Sequence, residues 1–226
     1  MRRSLLPIAL VATAIIAACG GGGQEEPASQ GNVFQNPGLE EGRDPWFSLR
    51  EPEFILSEDI ARTGEASALL QMQADPQEDT KVFYLVQEVT PEQIPEILSG
   101  HYQVTAWTPG TRLQYLQFAV IVFGADNLPG GYPNHQIRYI LAGIDEEPFA
   151  IDNAHFVFLD GEDPPLERWV PFEANVRDDF ERLWGAAPKG FEKIRVLFEV
   201  RYDGKAPGET PEADVYYDDL YFGPPS

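Results

Sequence analysis

Asp218 and Asp219 stand side by side in an otherwise apolar run near the C-terminus, 215–222. Two adjacent acids in a terminal strand are costly unless water solvates them or a cation binds them. A second chemistry is stacking. Aromatic faces match the C–H faces of sugar rings, and polar groups fix the hydroxyls. In 102–108, Tyr102, Val104 and Ala106 alternate with Gln103, Thr105 and Trp107, so Trp107 is expected to face away from Val104. Tyr84 alternates with Phe83 and Leu85 and is expected on Trp107's side. In 194–202, Ile194, Val196, Phe198, Val200 and Tyr202 form one stripe, with Arg195, Leu197, Glu199 and Arg201 opposite. Glu199 and Arg201 are therefore candidates for hydroxyl binding, and Tyr115 and Tyr132 for the walls of a cleft. The competing reading of each aromatic is a core residue.

Catalytic patterns are sparse. None of His101, His135 and His155 sits in a His-Glu-x-x-His spacing, and no Gly-x-Ser-x-Gly elbow occurs. Tyr132, His135, Arg138 and Tyr139 form a set of the types used in polysaccharide lyases; its alternative is a polar loop and the strand after it. With 37 Asp and Glu residues, any chosen carboxylate pair for glycoside hydrolysis is uninformative. The expectation is a chain without catalytic activity.

The elements that must position these residues read as β-strands. The 226 residues hold 43% hydrophobic and 12% aromatic types, too apolar for a disordered acidic tail. Twenty Gly and twenty Pro favour strands and turns over long helices. Short apolar runs recur between turn signals such as Thr63-Gly64, Pro109-Gly110, Asp160-Gly161 and Asp203-Gly204. Strands are expected at 46–49, 54–56, 68–73, 81–90, 101–108, 114–123, 136–144, 155–159, 169–174, 193–202 and 213–222. Two short connecting helices are expected, at 91–98 and 177–184. Trp46, Trp169 and Trp184 are read as core or edge packing. With 16 basic residues, the formal net charge is −21, which argues against nucleic acid and anionic glycans.

The N-terminus accounts for the single cysteine. Met1-Arg2-Arg3-Ser4 is basic, residues 5–18 are uncharged, and Ile16-Ala17-Ala18 precede Cys19. This resembles a bacterial lipoprotein signal, which implies cleavage before Cys19 and lipidation of Cys19. The alternative is an ordinary secretory signal cut after Ala18. Gly20 behind Cys19 resembles the sorting pattern of outer-membrane lipoproteins. The expected organisation is a signal peptide at 1–18, a flexible tether at 19–31 and one domain at 32–226. The expected membrane contact is that anchor, and the expected state is a monomer.

Four segments together resemble a known family. They are Asn36-Pro37-Gly38-Leu39-Glu40-Glu41-Gly42 with Trp46; Thr63-Gly64-Glu65-Ala66-Ser67-Ala68-Leu69 leading to Val86-Gln87-Glu88-Val89; Gly100 through Trp107; and Ala213 through Phe222. In this order they are similar to the jelly-roll carbohydrate-binding modules found beside xylanases and cellulases, of the galactose-binding-like fold. The resemblance covers about 32–223, and 124–153 fits it least. It implies an all-β jelly-roll sandwich and a polysaccharide or oligosaccharide ligand across the concave sheet. It also implies a structural calcium where the N-terminal segment meets the last strand. Its ligands would be the Gly38 carbonyl, the Glu40 carboxylate, an oxygen of Thr63 and the Asp218 carboxylate. The other reading is that these acids are solvated turn residues. The xylan-binding branch carries an exposed Trp near the strand starting Lys81-Val82-Phe83-Tyr84, and none stands here. The same fold also serves structural or adhesive lipoproteins with no sugar site.

Overall fold

The computed structural model describes residues 31–225; the signal segment and Cys19 lie outside the described residues. The chain runs β1 (Ile55–Ser57), β2 (Ser67–Gln73), β3 (Lys81–Val89), β4 (Ile97–Thr108), β5 (Leu113–Phe123), β6 (Asn134–Ala142), β7 (Phe149–Ile151), β8 (Ala154–Phe158), β9 (Trp169–Asn175), α1 (Val176–Trp184), β10 (Lys193–Asp203) and β11 (Glu212–Gly223). The strands form a five-stranded sheet, β1-β2-β11-β4-β9, and a six-stranded sheet, β3-β10-β5-β6-β8-β7. The two sheets pack as an all-β sandwich of the jelly-roll kind.

The alternating pattern decides which face is buried. In β10, Ile194, Val196, Phe198, Val200 and Tyr202 all lie in the core between the sheets. Phe198 is its centre, touching the rings of Phe34, Trp46, Phe118, Phe172 and Tyr217. The opposite side of β10 faces outward with its neighbours, where Val86, Ala119, Ile121 and Leu197 make a second, smaller apolar cluster.

The ends of the described chain are tied together. Asn32 Nδ2 donates to the Leu220 carbonyl at 3.0 Å, and Asn32 Oδ1 accepts from Phe222 N at 2.9 Å. Helix α1 is capped at its start by Asn175, whose side chain accepts from Asp178 N, and at its end by Gly185 at φ 86°. It buries Val176 and Phe180.

Three sequence expectations are corrected. The helix expected at 91–98 does not form. Pro95 lacks a backbone donor, and the Glu96 backbone pairs instead with Gly223 and Val176 at 3.1 and 2.8 Å. Residues 46–49 contribute only a bridge from Phe47 to Val86 at the free edge of β3. A strand the sequence reading lacks, β7, pairs with β8. Strand β8 in turn lies parallel to β6, whereas the other strand pairs described are antiparallel.

Candidate functional site: the outer face of the six-stranded sheet

Strand register brings the polar groups together. Across this face, Tyr84 of β3 lies opposite Glu199 of β10, Glu199 opposite Gln117 of β5, Gln117 opposite Ile140 of β6, and Ile140 beside Phe158 of β8. The neighbouring row runs Val86, Leu197, Ala119, Arg138, Phe156 and Phe149. Beyond Glu199 along β10, Arg201 lies opposite Tyr115.

Glu199 is only 2% exposed. An unpaired carboxylate there would carry a large desolvation cost, so its surroundings matter. Gln117 Nε2 donates to its Oε2. Arg138 Nη1 reaches the same oxygen at 3.4 Å, and Arg201 Nη1 lies 3.9 Å away. Arg138 is steadied by a 3.1 Å bond from Nε to Gln136 Oε1. Arg201 grips Asp203 with two bonds, 2.9 and 2.6 Å, and Tyr115 OH donates to the same carboxylate at 3.2 Å.

Burial works against the Arg201 charge, but Asp203 outweighs it and holds the guanidinium above its ordinary range. Burial, with Glu199 nearby, pushes the Tyr84 hydroxyl up, and burial does the same to Tyr115. Arg201 therefore stays charged, and Tyr84 and Tyr115 stay neutral, near neutral pH. One atom is left over. Gln117 is fully buried, and its Oε1 has no hydrogen-bond partner among the described residues. A buried unpaired acceptor costs on the order of 1–3 kcal/mol, which an incoming donor can offset.

Of the sugar-binding candidates, Tyr84, Tyr115, Glu199 and Arg201 share this face. Trp107 does not. A bulge at Thr105 sets Val104 opposite Val215 but Trp107 opposite Ala213, reversing the parity of β4. Trp107 therefore packs against the core from the other sheet, and its Nε1 donates to Asp163 at 3.3 Å. Tyr132 is also elsewhere. It lies edge-on to His135 and Trp184, beside the C-terminal end of α1. The lyase-like set is dispersed: Arg138 faces outward, whereas Tyr139 is buried on the core side, stacked on Phe118, and donates to Asp179 at 3.0 Å.

Gln117, Phe149, Phe156 and Phe158 were absent from the sequence-derived site. The alternation in 155–158 sets Phe156 and Phe158 on one side. Which side that is depends on the parallel pairing with β6, for which the sequence carries no local mark.

The proposed calcium ligands also converge. Asp218 is fully buried; its Oδ2 accepts from Arg62 N at 2.7 Å and Thr63 N at 3.3 Å, and its Oδ1 from Asp219 N at 2.7 Å. Burial pushes the Asp218 carboxyl up to about 6. The Glu40 carboxylate accepts from the amides of Glu65 and Ala66 at 2.9–3.1 Å. A Cβ built on Gly38 would lie 3.6 Å from Asp218 Oδ1 and 3.9 Å from Glu40 Oε1, so both carboxylates face one point at that glycine. Thr63 Oγ1 is committed to Asp219, leaving its carbonyl as the available oxygen. Among the described residues no three His, Cys, Asp or Glu side chains form a metal-ligating group. A cation here would need backbone carbonyls, which suits the oxygen preference of calcium. A cavity of 530 Å³, lined by Leu39, Glu40, Gly42, Leu56, Glu58, Glu65 and Ala66, opens beside this cluster.

The chain matches no protein-family model and no curated protein. Among solved structures it is similar to a family 16 carbohydrate-binding module (19% identity, TM-score 0.46, covering 84% of this chain and 97% of that one). It is similar to TmCBM61 in complex with β-1,4-galactotriose (14%, 0.44, 84% and 96%). A third is the CBM22-1 xylan-binding domain from Paenibacillus barcinonensis Xyn10C (13%, 0.41, 84% and 93%). The similarity to these carbohydrate-binding modules is one of architecture alone.

Proposed function

We propose that this chain is a non-catalytic carbohydrate-binding lipoprotein of the bacterial cell envelope, holding its glycan on the outer face of the six-stranded sheet. The observation that carries this reading is the group Glu199, Gln117, Arg138 and Arg201, fixed on an apolar sheet face with a buried acceptor to spare. Rigid donors and acceptors beside a half-buried tyrosine match a ring with one apolar face and several hydroxyls. Tyr84 stacks on that ring, Arg138 and Glu199 bind its hydroxyls, and Gln117 Oε1 accepts from one of them. Arg201 and Tyr115 hold the end of the row.

The anchor is lipidated Cys19, in the outer membrane. A calcium held by the Gly38 and Thr63 carbonyls and the Glu40 and Asp218 carboxylates supplies positive charge between the N-terminal segment and β11, and its role is structural. Affinity electrophoresis through gels containing β-1,4-galactan, mannan, xylan or β-glucan tests the function. Retardation by at least one polymer is expected, with Arg138→Ala weakening it roughly tenfold or more, as loss of a charged hydrogen bond does. No retardation by any polymer sinks this reading in favour of a structural or adhesive lipoprotein.

A further inference from the structure

We propose that the β7–β8 ribbon is a distal stacking platform for the same glycan, so that the ligand is a chain of several sugar rings running across the strands. This deepens the carbohydrate reading and rests on it. The ribbon is an addition to the sandwich edge, joined through the parallel β6–β8 pairing. Its side on the polar rows is built from phenylalanine: Phe149 and Phe156 are stacked at 4.5 Å and 14°, and Phe158 lies 6.2 Å from Phe149. Phe149 is 37% exposed.

Arg138 is the hinge between the two parts. It sits between Ala119 and Phe156 in register, and its guanidinium reaches back to Glu199. The unpaired acceptor of Gln117 lies one row over, between Glu199 and Ile140. The face thus changes from hydroxyl-binding to purely apolar within two strands. From Tyr84 on β3 to Phe158 on β8 there are four strand spacings, roughly 19 Å. That exceeds a single sugar ring and suits an oligosaccharide. The Phe platform offers no hydrogen bonds, so it takes a ring by its C–H face and tolerates different hydroxyl patterns there.

A second copy of this chain is a poorer occupant. Asp145, Glu146, Glu147 and Asp152, all exposed, flank β7 and would meet like charges across a paired edge. An uncharged sugar meets no such repulsion.

Titration calorimetry with β-1,4-linked galacto-, manno- and xylo-oligosaccharides of two to six rings tests the platform. For the series that binds, wild-type affinity should rise with length. Phe149→Ala should remove that gain, about tenfold on the longer oligosaccharides, and leave the disaccharide unchanged; Phe149→Trp should restore it. An unchanged melting temperature in Phe149→Ala shows that the ribbon is intact. Equal affinity of wild type and Phe149→Ala for every length overturns the platform while the central site stands. Wild-type protein that is dimeric by light scattering and becomes monomeric in Phe149→Ala overturns it in favour of self-association. No binding of any oligosaccharide by wild type overturns both readings.

Discussion

Asp218 shows how one buried side chain links stability to proton and cation binding. Its carboxyl is pushed up to about 6 from an ordinary 3.8 because burial disfavours the charge. The folded chain therefore holds this proton more tightly than the unfolded chain. The resulting stabilisation is fully present below about 3.8 and is lost as pH rises through about 6, on the order of 3 kcal/mol for a shift of this size. A bound calcium reverses the preference, since it stabilises the carboxylate. In chelator, the Asp218 carboxyl carbon should titrate near pH 6 by NMR; in millimolar calcium its midpoint should fall below 4. A midpoint that stays near 6 in both conditions would contradict the calcium proposal. At the same scale, Glu199 and Arg201 are legible from the sequence because β10 alternates without interruption. Gln117 is not: it lies in an apolar run, 114–123, whose two faces look alike until the partner strands are known.

The elements explain the largest difference from the sequence reading. Trp107 falls on the outward parity of its strand by counting residues, and one inserted residue at Thr105 turns it to the core. A bulge has no reliable local signature, since it exists only relative to the partner strand. Trp107 now closes one end of the sandwich: a Cβ on Gly143 would come within 3.2 Å of its ring. Trp107→Ala should lower stability by roughly 2–3 kcal/mol, under the range for a fully buried tryptophan because the ring is partly exposed. Urea denaturation measures this. Glycan retention by the folded variant should be unchanged, and a stable variant that loses retention would return Trp107 to the binding site. The β7–β8 ribbon is a similar case. Phe156 and Phe158 share a parity in the sequence, but the side they take follows from pairing with a strand that ends twelve residues earlier.

Across the whole molecule, the acid cluster and the proposed binding face lie on different parts of the sandwich. Glu40 of the N-terminal segment and Asp218 of β11 both accept from amides of one turn, 62–66, in the region where Leu220 N also donates to the Pro37 carbonyl at 3.1 Å. A cation there closes a contact of very long sequence separation, so its loss should act on the entire domain. Chelation should lower the melting temperature cooperatively, and added calcium should restore it. A melting curve that ignores both chelator and calcium would remove the structural calcium. The proposed binding face should keep its specificity with calcium present or absent, provided the domain remains folded.

The sequence by itself determines the strands of the sandwich, the inward stripe of β10 and the outward Glu199 and Arg201; the meeting of the first and last segments comes only from the family resemblance. Period-two alternation and turn residues are local, and one strand's pattern is enough to show its two faces. Tertiary structure alone decides that Gln117, Arg138 and the three phenylalanines join Glu199, and that Trp107 does not. Those outcomes depend on register, on a bulge and on a parallel pairing, each of which is a relation between strands distant in sequence.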